Sequence, residues 1–193
     1  MIRIAVEKDV PQMLAIYAPY IEKTTHTFEY DVPSQEAFLQ RFRMITAQFP
    51  WLVFEEGGKI LGYAYGSAPF ARAAYRWSAE DSIYLLPEAQ GRGIGTRLVQ
   101  ALERILFYQG YQRLYALITS ENTGSIAFHK KLGYTLRGEL PGAGIKFGRR
   151  IGVIWMDKTG DFVDIPSDFP RSWQSIMQDR QTFSDILDIL SLS

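Results

Sequence analysis

The sequence predicts a single mixed α/β domain in which helices flank a central β-sheet. Short β-prone runs alternate along the chain with segments whose apolar residues have helical spacing. A glycine-rich segment lies between one such run and a helix. The 193 residues, of which 47% are hydrophobic, are enough to bury one sizeable core. We place the domain at residues 1–160 and a C-terminal tail at 161–193.

Hydrophobic periodicity places five elements in the first half of the chain. Alternating apolar residues predict strands, and apolar residues spaced three and four apart predict helices. Ser34 resembles an N-cap, and Pro50 prevents a helix from continuing past it. The predicted elements are a strand at 2–6, a helix from about Asp9 to Lys23, a helix from Ser34 to before Pro50, and a hairpin with strands at 51–54 and 60–65.

The second half continues the alternation after a polar and aromatic connection at 68–81. Pro87 ends the strand that follows this connection. Gly110 and Gly133 suit the left-handed position that closes a helix. The predicted elements are a strand at 82–86, a helix ending at Gly110, a strand at 114–118, a helix from Asn122 or Thr123 to Leu132, and a hairpin with strands at 134–138 and 151–156.

The tail has an amphipathic pattern that predicts one more helix. Its apolar positions are Trp173, Ile176, Met177, Phe183, Ile186, Leu187 and Leu190. Such a helix packs on its own domain or contacts a second subunit, and the pattern leaves both interpretations open.

Composition excludes several classes of function. Twenty-one basic and 21 acidic residues cancel, so no overall field attracts nucleic acid or an anionic membrane. The absence of cysteine excludes disulfides, thiolate catalysis and zinc–thiolate sites, and we expect no metal. The charged N-terminus is unlike a signal peptide, and no apolar run approaches the ~20 residues of a membrane span. We therefore expect a cytoplasmic protein.

The segment QGRGIGT at 90–96 carries the clearest chemical signal. Gly91, Gly93 and Gly95 let successive backbone N–H groups approach an anion without interference from Cβ atoms. A helix that begins there adds a positive dipole end, and Arg92 adds charge-assisted hydrogen bonds. A Rossmann turn would need glycine at Thr96, and a P-loop would need a lysine that is missing. The segment indicates an anion site, with a flexible turn as the alternative.

Two motifs in this order resemble the GNAT superfamily of N-acetyltransferases. QGRGIGT matches its pyrophosphate motif, and NTGSIAFHKKLGY is similar to its last helix and following strand. The chain most resembles the phosphinothricin and methionine sulfoximine acetyltransferases through IYAPYIEKTTHTFE, FPWLVFEEGGKILGYAY, ARAAYRW, GYTLRGEL, Lys146 and Gly148. The similarity covers residues 1–158. It implies a GNAT-type, strongly curved sheet, acetyl-CoA as co-substrate, direct transfer in a ternary complex, and a homodimer.

The resemblance assigns three catalytic positions. Glu80 corresponds to the glutamate that acts as general base, directly or through water, although Asp81 is adjacent. His129 corresponds to a residue near the coenzyme sulfur that could protonate the leaving thiolate. The backbone N–H of Leu85 is the expected donor to the thioester oxygen.

The resemblance also assigns the coenzyme contacts. The strand before the glycine segment pairs with pantetheine, and the segment itself binds the pyrophosphate. Asn122 hydrogen-bonds the coenzyme or caps the last helix. The expected coenzyme-binding residues are Ile83, Tyr84, Leu85, Gly91, Arg92, Gly93, Ile94, Gly95, Thr96 and Asn122.

The acceptor is less well defined. Phe28, Arg72, Tyr75 and Glu80 are the expected contacts, with Arg72 suited to a carboxylate. Arg150, Ile151 and Gly152 stand where the phosphinothricin enzymes tend to have Trp-His-Asp, so phosphinothricin itself is doubtful. His26 is expected to be a loop residue without a catalytic role. The alternatives are a protein N-terminus or polyamine as acceptor, or a non-catalytic acetyl-CoA-binding protein.

Overall fold

The structure is a computed structural model that describes residues 1–162 and 164–191. Numbered in chain order, strands β1 to β7 span Ile2–Ile4, Trp51–Glu56, Lys59–Ser67, Ser78–Leu85, Arg113–Thr119, Thr135–Lys146 and Arg149–Thr159. Helices α1 to α6 span Val10–Lys23, Gln35–Thr46, Ile94–Gln109, Thr123–Lys131, Trp173–Gln178 and Arg180–Ser191. Within the described ranges the strands form one seven-stranded sheet, which confirms the predicted mixed α/β fold.

The sheet has the order β1-β2-β3-β4-β5-β7-β6. Its neighbouring strands are antiparallel except for β4 and β5, which run parallel. The predicted hairpins appear as β2 with β3 and as β6 with β7. The parallel pair therefore joins an N-terminal and a C-terminal half of the sheet.

Helices cover both faces of the N-terminal half. Trp51 and Val53 of β2 pack in one buried cluster with α1 and α2, whereas Leu52 and Phe54 pack in another with α3. Because side chains alternate between the faces of a strand, both sets of positions must be apolar when both faces are covered. This explains why the run WLVF is continuously apolar.

β4 and β6 extend well beyond the ranges that their sequence patterns predicted, for different reasons. β4 begins at Ser78 instead of Ser82, because residues 78–80 pair with β5. Pairing with β3 begins at Glu80 and extends to the end of the strand. These residues include Glu80 and Asp81, whose charge conceals the strand in the sequence. β6 continues to Lys146 with two register shifts, and most of its residues are exposed, so it lacks apolar alternation.

The tail packs on the domain as two helices where the pattern predicted one. Trp173, Ile176 and Ile186 are buried in the cluster built on α3, and the backbone between α5 and α6 is extended at Asp179. The side chains of Phe183 and Leu187 lie outside the described part of the structure. No helix within the described ranges is both long and apolar enough to cross a membrane.

Two of the four isoleucines in the tail make its packing testable. We expect Ile176→Ala to lower the free energy of unfolding by about 2–5 kcal/mol, because it leaves a cavity at a position that is 0% exposed. The matched control is Ile165→Ala, since Ile165 is 96% exposed and its loss should change stability by less than about 0.5 kcal/mol. Urea denaturation measures both; equal losses would contradict the packing of the tail.

Candidate active site

The central feature of the site is a gap between β4 and β5. The two strands pair only where Ser78, Ala79 and Glu80 face Arg113, Leu114 and Tyr115. Beyond Glu80, β4 continues to pair with β3 alone and β5 with β7 alone. The facing edges of both strands therefore carry backbone groups without a strand partner in the middle of the sheet.

Two cavities join in this gap. One of about 320 Å³ is lined by Glu80, Asp81 and His129, and another of about 550 Å³ is lined by the glycine segment. They share the lining residues Tyr20, His26, Ile83, Asn122 and Ser125. The result is one groove that leads from the start of α3 to the carboxylate of Glu80.

The three glycines at the start of α3 are needed for different structural reasons. Gly91 and Gly93 adopt the left-handed conformation, with φ of 72° and 77°, and a Cβ at either position would have no protein atom within 4 Å. A Cβ on Gly95 would lie 3.2 Å from Leu85 Cδ1, so this glycine allows α3 to pack closely on β4. The turn thus leaves open space in front of its backbone, as an anion site requires.

The charge at this turn comes chiefly from the backbone. The exposed Arg92 pairs with Glu56 at 3.0 Å and does not line the groove. Ile94 is buried and offers only its backbone, whereas Thr96 lines the groove. The helix N-terminus therefore supplies the positive potential. Lys131 also lines the groove, from the end of α4, and sequence reasoning missed it.

Glu80 has the properties of a general base. It is half-buried, and no hydrogen bond or ion pair to its carboxylate is present among the described residues. Burial, and secondly the charge of Asp81, raise its pKa to about 7. A carboxylate with a pKa near neutral pH and no competing partner is suited to accept a proton.

Asp81 has the opposite environment, because consecutive strand residues point to opposite faces. Its carboxylate lies 3.0 Å from His129 Nε2 and accepts a hydrogen bond from Tyr134 at 3.0 Å. His129 Nδ1 lies 2.9 Å from the carbonyl oxygen of Ser125. Burial lowers the pKa of His129, but the hydrogen bond and charge of Asp81 raise it more, so the pKa lies above the usual value. Both ring nitrogens face acceptor oxygens, an arrangement that favours the doubly protonated imidazolium.

The backbone of β4 faces the groove at Ile83 and Leu85. Successive N–H groups of a strand alternate in direction, so both point to the edge that β5 leaves unpaired. The N–H of Leu85 donates to the Tyr20 hydroxyl at 3.3 Å, and that hydroxyl donates to the Leu85 carbonyl at 2.6 Å. The Tyr20 hydroxyl is thus hydrogen-bonded to the N–H group that we expected to face the thioester oxygen. The sequence did not predict this contact. Tyr84 lines the groove near Glu80.

Asn122 performs the capping role and also faces the groove. Its side-chain oxygen accepts a hydrogen bond from the Ser125 N–H at 3.1 Å, so it is the N-cap of α4. The amide N–H₂ can donate to a ligand. His26, which we expected to be a loop residue, also lines the groove, and its pKa is lowered by burial and by Lys146.

The expected acceptor residues are not all brought together. Phe28 lines the same cavity as Glu80. Its ring packs closely on Gly144, since a Cβ at that position would lie 2.6 Å from Phe28 Cζ. Arg72 and Tyr75 instead line a separate cavity of about 370 Å³.

The altered stretch on β7 does not offer acceptor contacts either. Ile151 is buried, and Arg150 is exposed. A Cβ on Gly152 would lie 3.0 Å from Ser120 Oγ and 3.1 Å from a Glu139 oxygen. Close packing therefore leaves no room at 152 for a polar side chain without a shift of its neighbours.

Comparisons with known proteins match this geometry. Residues 2–155 match the family model described as an acetyltransferase (GNAT) domain. The chain is 35% identical over 159 residues to the phosphinothricin N-acetyltransferase of Alcaligenes faecalis, covering 81% of each chain. It is 36% identical over 176 residues to the L-methionine sulfoximine/L-methionine sulfone acetyltransferase of Pseudomonas paraeruginosa, covering 89% of this chain and 96% of the relative.

A solved structure extends the comparison to the fold. The phosphinothricin acetyltransferase of Sinorhizobium meliloti, in complex with AcCoA, superposes with a TM-score of 0.83 at 34% identity. The match covers 88% of this chain and 94% of that one. The chain belongs to the GNAT acetyltransferase family. It is an acetyltransferase of this family, and the resemblance drawn from its sequence is confirmed.

The chain has only two histidines, so the His129–Asp81 pair can be tested by NMR titration. We expect His129 to titrate above the usual pKa of ~6.5 and His26 below it. Asp81→Asn should bring the pKa of His129 below ~6.5, because burial remains while the charge is lost. His26 should not change and is the internal control. A His129 pKa that is the same in both proteins would contradict the pair.

Proposed function

We propose that this protein moves the acetyl group of acetyl-CoA to the amino group of a small, amino-acid-like acceptor by direct attack in a ternary complex. The observation that carries the proposal is the position of Glu80. Its unpaired carboxylate, with a pKa of about 7, stands where the groove from the glycine turn reaches the gap in the sheet. The two relatives named for phosphinothricin and methionine sulfoximine support an amino-acid-like acceptor.

The groove suggests how the chain would hold the coenzyme. Gly91 and Gly93, with the N-terminus of α3, would bind the pyrophosphate, and Lys131 lies beside them on the groove. The unpaired edge of β4 would hydrogen-bond the pantetheine arm, and the amide of Asn122 adds a donor. The thioester would then lie in the gap between Glu80 and Leu85, which are five residues apart on β4, with its oxygen at the Leu85 N–H once the Tyr20 hydroxyl moves away.

Glu80 accepts a proton from the acceptor amine, directly or through water, as the amine attacks the thioester carbonyl. An α-amino group of pKa ~7.8 is neutral in roughly one molecule of seven at pH 7, so it needs less help than a lysine-like amine. Loss of the thiolate from the tetrahedral intermediate then requires a proton. We assign this proton to His129, because imidazolium of ordinary pKa ~6.5 protonates a thiolate of pKa ~8.5 with a gain of about two pK units.

Both ring nitrogens of His129 are already hydrogen-bonded, so the coenzyme sulfur must displace Asp81 or the Ser125 carbonyl to receive the proton. The raised pKa of His129 makes this transfer less favourable than for a free imidazole. We also propose homodimerisation, which the family resemblance implies, and a cytoplasmic location. The particle mass in sedimentation equilibrium, compared with 22.1 kDa for one chain, checks the dimer.

Release of free thiol from acetyl-CoA with amino acids, methionine sulfoximine, phosphinothricin, polyamines and short peptides tests this function. We expect turnover with amino-acid-like amines and a loss of about 100-fold in kcat/KM for Glu80→Gln. Below about pH 6 a plot of log kcat/KM against pH should have a slope near two for the wild type, since Glu80, with a pKa of about 7, and the amine must both lose a proton. The variant should retain a slope near one.

Glu88→Gln is the matched control for Glu80→Gln. Glu88 is exposed and pairs with Lys59 at 2.8 Å outside the groove, so its loss should leave kcat/KM within about twofold. If Glu80→Gln also stays within this range, Glu80 is not the base.

The glycine turn provides a separate test of coenzyme binding. We expect Gly93→Ala to raise the Kd for acetyl-CoA at least about tenfold, because the methyl group enters the space proposed for the pyrophosphate. Gly58→Ala is the control, since Gly58 has a similar φ of 80° and open surroundings but lies in the β2–β3 turn. Both substitutions should cost a similar 1–2 kcal/mol of stability, roughly. Calorimetry that shows equal affinities would overturn the assignment.

A further inference from the structure

Four aromatic side chains form a surface that the core does not use. Phe70 lies with its ring centroid 4.5 Å from that of Tyr75, 5.7 Å from Tyr115 and 5.6 Å from Trp155. None of the four belongs to either buried cluster of the described core. We call Phe70, Tyr75, Tyr115 and Trp155 the aromatic platform.

The aromatic platform adjoins the proposed base. Tyr115 is the register partner of Glu80 in the parallel pair, so their side chains are neighbours on one face of the sheet, with strands about 4.8 Å apart. Leu117, two residues further along that face, lines the cavity of Glu80 and pairs with Trp155 on β7. Tyr115 and Trp155 are therefore neighbours of residues that line the cavity of Glu80, although the four rings do not line it themselves. Phe70 and Tyr75 line the cavity of Arg72.

The aromatic platform is also open to a ligand. Tyr75 is 44% exposed, and the other three rings are partly exposed. Large, partly exposed rings beside a reactive carboxylate offer apolar area at little cost in side-chain entropy. Tyr75 is presented by a short turn at 73–75 whose N-cap is Arg72, which brings a cation to the same loop.

We propose that the aromatic platform binds the side chain of the acceptor, and that the preferred acceptors are amino acids with a large apolar or aromatic side chain. This inference rests on the proposed function, because the acceptor amine must lie at Glu80 for its side chain to reach Tyr115. The rings of Tyr115 and Trp155 form the floor of the subsite. Tyr75, which lines the neighbouring cavity of Arg72, and its loop form the outer wall.

The wild-type enzyme gives the first test. We expect kcat/KM for phenylalanine to exceed that for alanine by roughly 10- to 100-fold, because the larger side chain leaves water on binding, with leucine and methionine in between. Acetylation with a ratio below about 3 would overturn the inference and leave the proposed function standing. Absence of thiol release with every amine would overturn both.

Two variants locate the preference on the aromatic platform. Tyr75→Ala and Trp155→Leu should each reduce the phenylalanine-to-alanine ratio of kcat/KM about fivefold or more. Tyr108→Ala, which removes an exposed ring from α3, is the matched control and should keep the ratio within about twofold. Thermal unfolding confirms that each variant is folded.

A second copy of the chain is the rival occupant of the aromatic platform. In that case Tyr75→Ala would shift the monomer–dimer equilibrium in sedimentation and leave the phenylalanine-to-alanine ratio unchanged. That result overturns the inference. A ratio that falls while the particle mass is constant supports it.

Discussion

The loss of pairing between β4 and β5 beyond Glu80 is the constraint on which the site depends. A buried strand edge without partners is costly, since each unpaired backbone group forfeits a hydrogen bond. This protein lowers that cost in one place, where the Tyr20 hydroxyl bonds both the N–H and the carbonyl of Leu85. The remaining groups along the gap are available to an elongated polar ligand. The same divergence opens the groove that connects the start of α3 with Glu80.

The alternation of side chains along β4 separates two adjacent carboxylates into different roles. Asp81 points to the side of α4, where the imidazole of His129 and the hydroxyl of Tyr134 hold its charge. Glu80 points to the other side and has no such partner among the described residues. Burial and the neighbouring charge of Asp81 therefore raise the pKa of Glu80. Carboxylates whose environments differ in this way are a general means of placing one base at neutral pH.

Prediction from sequence succeeded where one contiguous segment contains the whole signal. The turn at 90–96, the helix that follows and the cap at Asn122 depend on local glycine conformation, helix period and capping, and the fold class follows from their order. Prediction from sequence was less successful where the residues that contact one another are distant in the chain. The start of β4 at Ser78 depends on a parallel pairing with β5, and Tyr20 reaches Leu85 across 65 residues. The separate cavity of Arg72 likewise depends on how its loop folds, which no local pattern states.

The same contrast between local and distant contacts distinguishes binding of the acetyl donor from binding of the acceptor. The proposed coenzyme contacts come from one turn, one strand edge and the first turn of α4, and much of that binding is backbone, so side-chain changes alter it little. The proposed acceptor contacts come from side chains on the β3–β4 loop, β5 and β7, which meet only through the sheet register. A single substitution there changes shape or polarity without disturbing the turn. Members of such a family can thus share one acetyl donor and differ in acceptor. Gly152 has less freedom to change, because a side chain there would meet Ser120 and Glu139.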